Sequence, residues 1–214
     1  MKKIILIIGI MVAGFALKAQ NEQAYINAMS KGLEALGTAN TMEELQSVAG
    51  QFERIAANVT DQWHPQYYAA LAYINMSFRT DDLSKKDQLT DKAETFIKAG
   101  LKLEPNNSEL VALKGYKYMI ELSADVANRG QSLSQLTMMQ LGKALSLDPN
   151  NPRANTFMAQ MELGMAQFFG SSTANACGKA KTAIKFFEAQ PEEMSFDPKW
   201  GKEMAEAIIQ QCGQ

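Results

Sequence analysis

Leu101-Lys102-Leu103-Glu104-Pro105-Asn106-Asn107 returns 44 residues later as Leu145-Ser146-Leu147-Asp148-Pro149-Asn150-Asn151. In each copy an apolar run containing Ala and Gly ends at an acidic residue and a proline, and Asn-Asn leads into a new amphipathic run. Proline lacks an amide donor and restricts the residue before it, so the helix stops there. An asparagine side chain accepts a bond from the free amides that open the next helix. The stretch is therefore a helix stop followed by a helix start, used twice.

The same alternation extends in both directions. Residues 21–36 place Ala24, Tyr25, Ala28, Met29, Leu33 and Leu36 at helical spacings, and Gly37 closes that run. Thr41-Met42-Glu43-Glu44 is a capping box that opens a second helix, with Leu45, Val48, Phe52, Ile55 and Ala56 on one face. Pro65 opens a third helix running to about Phe78, and Asp82 caps a fourth that runs from Leu83 to Pro105. A fifth is expected from Ser108 to Ala127, with Asn128-Arg129-Gly130 as its stop, and a sixth from Leu133 to Leu147. The seventh covers Pro152 to Phe169 and the eighth 174–189. After a loop over 190–197, Pro198 opens a ninth that ends near Cys212. No segment alternates with period 2, so the chain is expected to be all-α.

The 214 residues are 46% hydrophobic, which is ordinary for a globular chain. Met1-Lys2-Lys3 followed by the apolar run Ile4 to Leu17 has the charged and apolar regions of a secretory signal, shorter than the ~20 residues a spanning helix needs. Cleavage after Ala19 is expected, leaving 20–214 as one exported domain, periplasmic or secreted, with no stable membrane span. An uncleaved anchor is the alternative. Removing residues 1–19 takes away Lys2, Lys3 and Lys18 and no acid, so 18 basic residues face 23 acidic ones, a net charge of about −5. With no Lys/Arg cluster, a nucleic-acid partner is not expected.

Helix pairs starting at Asn21, Pro65, Ser108 and Pro152 recur at spacings of 43 or 44 residues. Ala144-Leu145-Ser146-Leu147-Asp148-Pro149-Asn150-Asn151 is similar to the unit end of the tetratricopeptide (TPR) family. Tyr68 with Ala72, and Val111 with Gly115, resemble its bulky and small pair in the first helix, from which Asn155 with Ala159 departs at Asn155. Ala93 resembles the small position of a second helix. The resemblance implies a TPR-like superhelix of about four lengthened hairpins plus a C-terminal capping helix, similar to exported TPR-like proteins of the Bacteroidota. It also implies a concave groove lined by the first helices. On this chain those positions are Gln66, Ala69, Tyr73 and Met76; Glu109, Ala112, Tyr116 and Met119; and Arg153, Thr156, Gln160 and Leu163.

The only histidine, His64, lies between Trp63 and Pro65 with no nucleophile or paired carboxylates beside it, so no catalytic, metal or cofactor site is expected. If the last two helices form an antiparallel hairpin around residue 194, Cys177 lies 17 residues before that centre and Cys212 18 after it. The two would meet and form a disulfide in an exported protein, with two free buried thiols as the alternative. Met158, Met161 and Met165 line one helix beside Met138 and Met139. Such spacing suits a core, with a soft groove for apolar ligands or a thioether site for Cu(I) as the alternatives. The expected function is a non-enzymatic scaffold for a protein or peptide. A compact helical carrier of a small apolar ligand is the alternative.

Overall fold

The computed structural model describes residues 21–192 and 195–212, so the expected signal segment 1–19 lies outside the described residues. Nine helices and no strand are found among the described residues: α1 (21–38), α2 (Met42–Asn58), α3 (His64–Ser77), α4 (Leu83–Leu103), α5 (Ser108–Ala124), α6 (Val126–Leu147), α7 (Pro152–Phe169), α8 (Ala174–Glu188) and α9 (Lys202–Cys212). The chain is all-α, and consecutive helices pack on one another in a TPR-like series.

The punctuation works as the sequence indicates. Thr41 Oγ1 accepts from the Glu44 amide while the Glu44 carboxylate accepts from the Thr41 amide, and Asp82 caps the Lys85 amide. In the repeated stretch, Asn107 caps the Leu110 amide at 3.0 Å and Asn151 caps the Ala154 amide at 2.8 Å. Asn151 also donates to Ser108 and Glu109 of the preceding unit, so the junction joins two repeats as well as two helices.

Small residues set the helix spacing. A Cβ placed on Gly115 of α5 would lie 2.6 Å from Leu141 Cδ2 of α6, so this glycine is required by close approach. The main core is built from α1 to α7 and includes stacked aromatic pairs, Phe52 with Tyr68 and Tyr116 with Phe157.

Two helix boundaries differ from expectation. Asn128-Arg129-Gly130 does not stop α5. The helix ends at Ala124, and Asp125 caps the Asn128 amide at 3.2 Å to open α6 seven residues before the expected Leu133. Arg129 fixes this early turn through two bonds to the Asp87 carboxylate of α4, at 2.6 and 2.7 Å. Pro198 does not open α9 either, because Gly201 at φ 102° turns the chain first and the helix begins at Lys202.

Residues 195–201 instead lie across the first helices α3, α5 and α7. Tyr68 donates to the Phe196 carbonyl at 2.8 Å, Trp200 Nε1 donates to Tyr67 Oη at 3.1 Å, and Arg153 donates to the Trp200 carbonyl at 3.1 Å. His64 meets Asp197 at 3.1 Å, and the Trp200 ring packs 6.0 Å from both Tyr116 and Phe157. Amphipathic Tyr and Trp rings bury their bodies and give their polar tips to this segment. Beyond it, Cys177 and Cys212 are bonded, with Cα atoms 6.0 Å apart, tying the last turn of α9 to α8.

Candidate functional site

A cleft of about 890 Å³ lies where the C-terminal half of α5, the start of α6, the end of α7 and all of α9 converge. Its walls carry four methionines, Met119, Met161, Met165 and Met204, one from α5, two from α7 and one from α9. Leu122, Leu163, Ile208, Phe168 and Phe169 add to the apolar surface, and the polar groups are confined to glutamine amides and serine hydroxyls. No Asp, Glu, Lys, Arg, His, Cys or Tyr is among the lining residues. Such a site holds apolar surface by packing and offers neutral hydrogen bonds. It contains no group for acid–base chemistry near neutral pH.

Local sequence explains each wall. α6 reaches the cleft because it starts at Val126, held by Asp125 and by the Arg129–Asp87 pair. α7 ends at Phe169 because Gly170 adopts φ 64°, which leaves Phe168 and Phe169 at the mouth, 79% and 74% exposed. α9 is pinned at one end where Arg153 holds Trp200 and at the other by the disulfide. Its Met204, Ala207, Ile208 and Gln211 close the fourth side.

The groove positions carried over from the TPR resemblance do not form one open surface. Ala69, Ala112 and Thr156 are fully buried in helix contacts. Tyr73 turns toward α2 and α4, donating to Glu53 at 2.7 Å and stacking on Phe96. With Met76 it borders a separate recess of about 530 Å³ beside Lys85 and Lys92. Gln66 is half-buried, with its Cβ directed at Gly100 of α4. Glu109 and Arg153 are spent on each other, and Tyr116 packs against Phe157 and Trp200. Met119, Gln160 and Leu163 reach the cleft. Tyr67 and Tyr68, rather than Tyr73, face the 195–201 segment.

The electrostatics of that inner face are structural. Burial pushes the Tyr67, Tyr68 and Tyr116 phenols well up, so they remain neutral hydrogen-bonding groups. Burial also opposes the charge on Arg153, but hydrogen bonds from its guanidinium to Glu109 outweigh that and keep it protonated. Of the methionines singled out in the sequence, Met161 and Met165 line the cleft, Met158 is buried in the core and Met139 is exposed. Met204, Phe168, Phe169 and Gly164 were missed as site residues. The visible signal was the Phe168-Phe169 pair placed directly before a helix-ending glycine.

No protein-family model and no curated protein matches the sequence. Among solved structures, the HusA haemophore from Porphyromonas gingivalis superposes with a TM-score of 0.79 at 27% identity, covering 88% of this chain and 92% of that one. A thermophilic TPR protein of Thermus thermophilus superposes with a TM-score of 0.54 at 14% identity, covering 91% of this chain and 95% of that one. The chain is thus a TPR-like helical protein, with TPR and haemophore structures among those it is similar to.

Proposed function

We propose that this protein is an exported, non-enzymatic carrier of a flat apolar ring ligand of the haem or porphyrin class, bound in the cleft between α5, α6, α7 and α9. The observation that carries this is the cleft itself: about 890 Å³, lined by methionine, phenylalanine and aliphatic side chains, without a charge. That volume is within the range of about 300–1,000 Å³ typical of small-molecule sites. Methionine adapts its shape to aromatic surfaces and gains from sulfur–ring contacts. The likeness to a haemophore at 27% identity supports the ligand class. The disulfide and the signal-like residues 1–19 support export, with 20–214 as the mature domain.

Thioethers are the only lining groups with affinity for iron, so recognition rests on packing of the ring. Iron and metal-free protoporphyrin are expected to bind within about tenfold of each other, a difference of about 1.4 kcal/mol. Titration of the purified protein, followed by porphyrin absorbance and fluorescence, tests this against Met165→Asp, which places on the cleft wall a charge of the same sign as the porphyrin carboxylates. Saturable binding weakened at least about tenfold by that variant is expected. Equal binding by both proteins would remove the cleft from the account.

A scaffold binding a protein or peptide on the inner faces of α3, α5 and α7 is the second reading, favoured by the TPR-like fold. A peptide there has to displace residues 195–201, so Trp200→Ala would strengthen partner capture from envelope extract. Unchanged capture counts against it.

A further inference from the structure

Two glycines occupy helix interiors on the cleft walls, Gly130 in α6 and Gly164 in α7. Glycine weakens a helix interior relative to alanine, and packing is the usual reason to keep one there. Packing does not require either of these. A Cβ on Gly164 would meet nothing within 4 Å, and one on Gly130 would meet only Val126 of its own helix, at an ordinary 3.8 Å. Gly115, blocked by Leu141 at 2.6 Å, is the contrasting case. The space above Gly130 and Gly164 is cleft.

Each glycine sits at the centre of a row one helical turn apart. On α6 the row is Val126, Gly130, Ser134, and on α7 it is Gln160, Gly164, Phe168, and all six line the cleft. The two helices are consecutive and joined by the short turn Asp148–Asn151, so they run in opposite directions. That places Val126 toward the same end as Phe168, and Ser134 toward the same end as Gln160. Between an apolar end and a hydrogen-bonding end, each row is bare backbone at its centre.

We propose that Gly130 and Gly164 are specificity-determining residues, which keep the middle of each row free of a side chain so that a flat rigid ring lies directly against the backbone there. This rests on the cleft reading above and adds the reason a planar ligand is preferred: a side chain at either position would hold the ring off the backbone.

The test compares Gly130→Ala, Gly164→Ala and Gly164→Leu with Gly142→Ala, a position in α6 outside the cleft where a Cβ also meets nothing within 4 Å. Metal-free protoporphyrin is the probe, and Kd and Tm are read on each purified protein. Each Gly→Ala substitution is expected to raise Tm by about 1–4 °C. At Gly130 and Gly164 affinity for the ring falls about fivefold or more, while Gly142→Ala leaves it unchanged. A gain in stability with a loss of binding is not what a packing glycine gives. Smaller losses at both cleft positions, or a lowered Tm there, would overturn the inference while leaving the cleft assignment intact. Failure of the unsubstituted protein to bind the probe would overturn both.

Discussion

Arg153 is the largest fully buried side chain among the described residues, and it is a cation. Its guanidinium meets both oxygens of Glu109, one repeat earlier, and the Trp200 carbonyl on the segment that crosses the inner face. Removing one partner of a buried pair leaves the other charge desolvated. Arg153→Leu is therefore expected to cost about 3–5 kcal/mol in urea unfolding, and Arg153→Leu with Glu109→Leu to recover most of that loss. A double variant no more stable than the single one would show that the pair is not the cause. Glycine carries a second residue-scale contrast. Gly115→Ala is expected to destabilise by about 1–3 kcal/mol because the new methyl meets Leu141, whereas the open glycines gain from the same change. The TPR resemblance marks Gly115 as the small member of a bulky and small pair, whereas nothing local in the sequence marks Gly130 and Gly164 as open. What differs is the neighbouring helix.

At the scale of elements, the caps were legible because they are local: Thr41, Asp82, Asn107 and Asn151 each accept from an amide within three residues. The start of α6 has the same kind of local cap, Asp125 accepting from the Asn128 amide, but Asn128-Arg129-Gly130 reads as a helix stop until Arg129 is seen to reach Asp87 on α4, 42 residues away in sequence. The meeting of α4 with α5 has a pH signature. Desolvation raises the Glu94 carboxyl, but hydrogen bonding and charge from Lys117, helped by Lys98 and Lys114, prevail and bring it down to about 2 from 4.5. A carboxyl depressed in the folded state stabilises fully above its unfolded value and loses that contribution as pH falls from about 4.5 towards 2. Glu94→Gln should flatten the dependence of Tm on pH across that window, and an unchanged profile would contradict the assignment. The Cys177–Cys212 bridge closes a separation of 35 residues, for which loop entropy gives about 3–4 kcal/mol. Cys177→Ser with Cys212→Ser should lose about that much and also weaken ligand binding, since α9 forms one cleft wall.

For the whole molecule, the repeat spacing and the two Pro-Asn-Asn junctions made an all-α, TPR-like series readable in advance. The expected concave groove was not realised as open surface, because the chain folds its own residues 195–201 over α3, α5 and α7. In the sequence that segment reads as the end of a loop over 190–197 and the first turn of a helix opened by Pro198, and nothing in its composition discloses which face it covers. The cleft was half legible: Met161 and Met165 stood out on one helix and Met119 among the expected groove positions, but Met204 joins them only where α9 packs back on α7. A flat ring bound among these four thioethers, as proposed, has a direct signature. Methyl-labelled methionine NMR with metal-free protoporphyrin tests it most directly, since the ring current displaces the methyls against which it stacks. Shifts are expected only at Met119, Met161, Met165 and Met204, with Met42 and Met76 in the recess beside α4 unmoved. Shifts centred on Met42 and Met76, or none at saturating porphyrin, would contradict it.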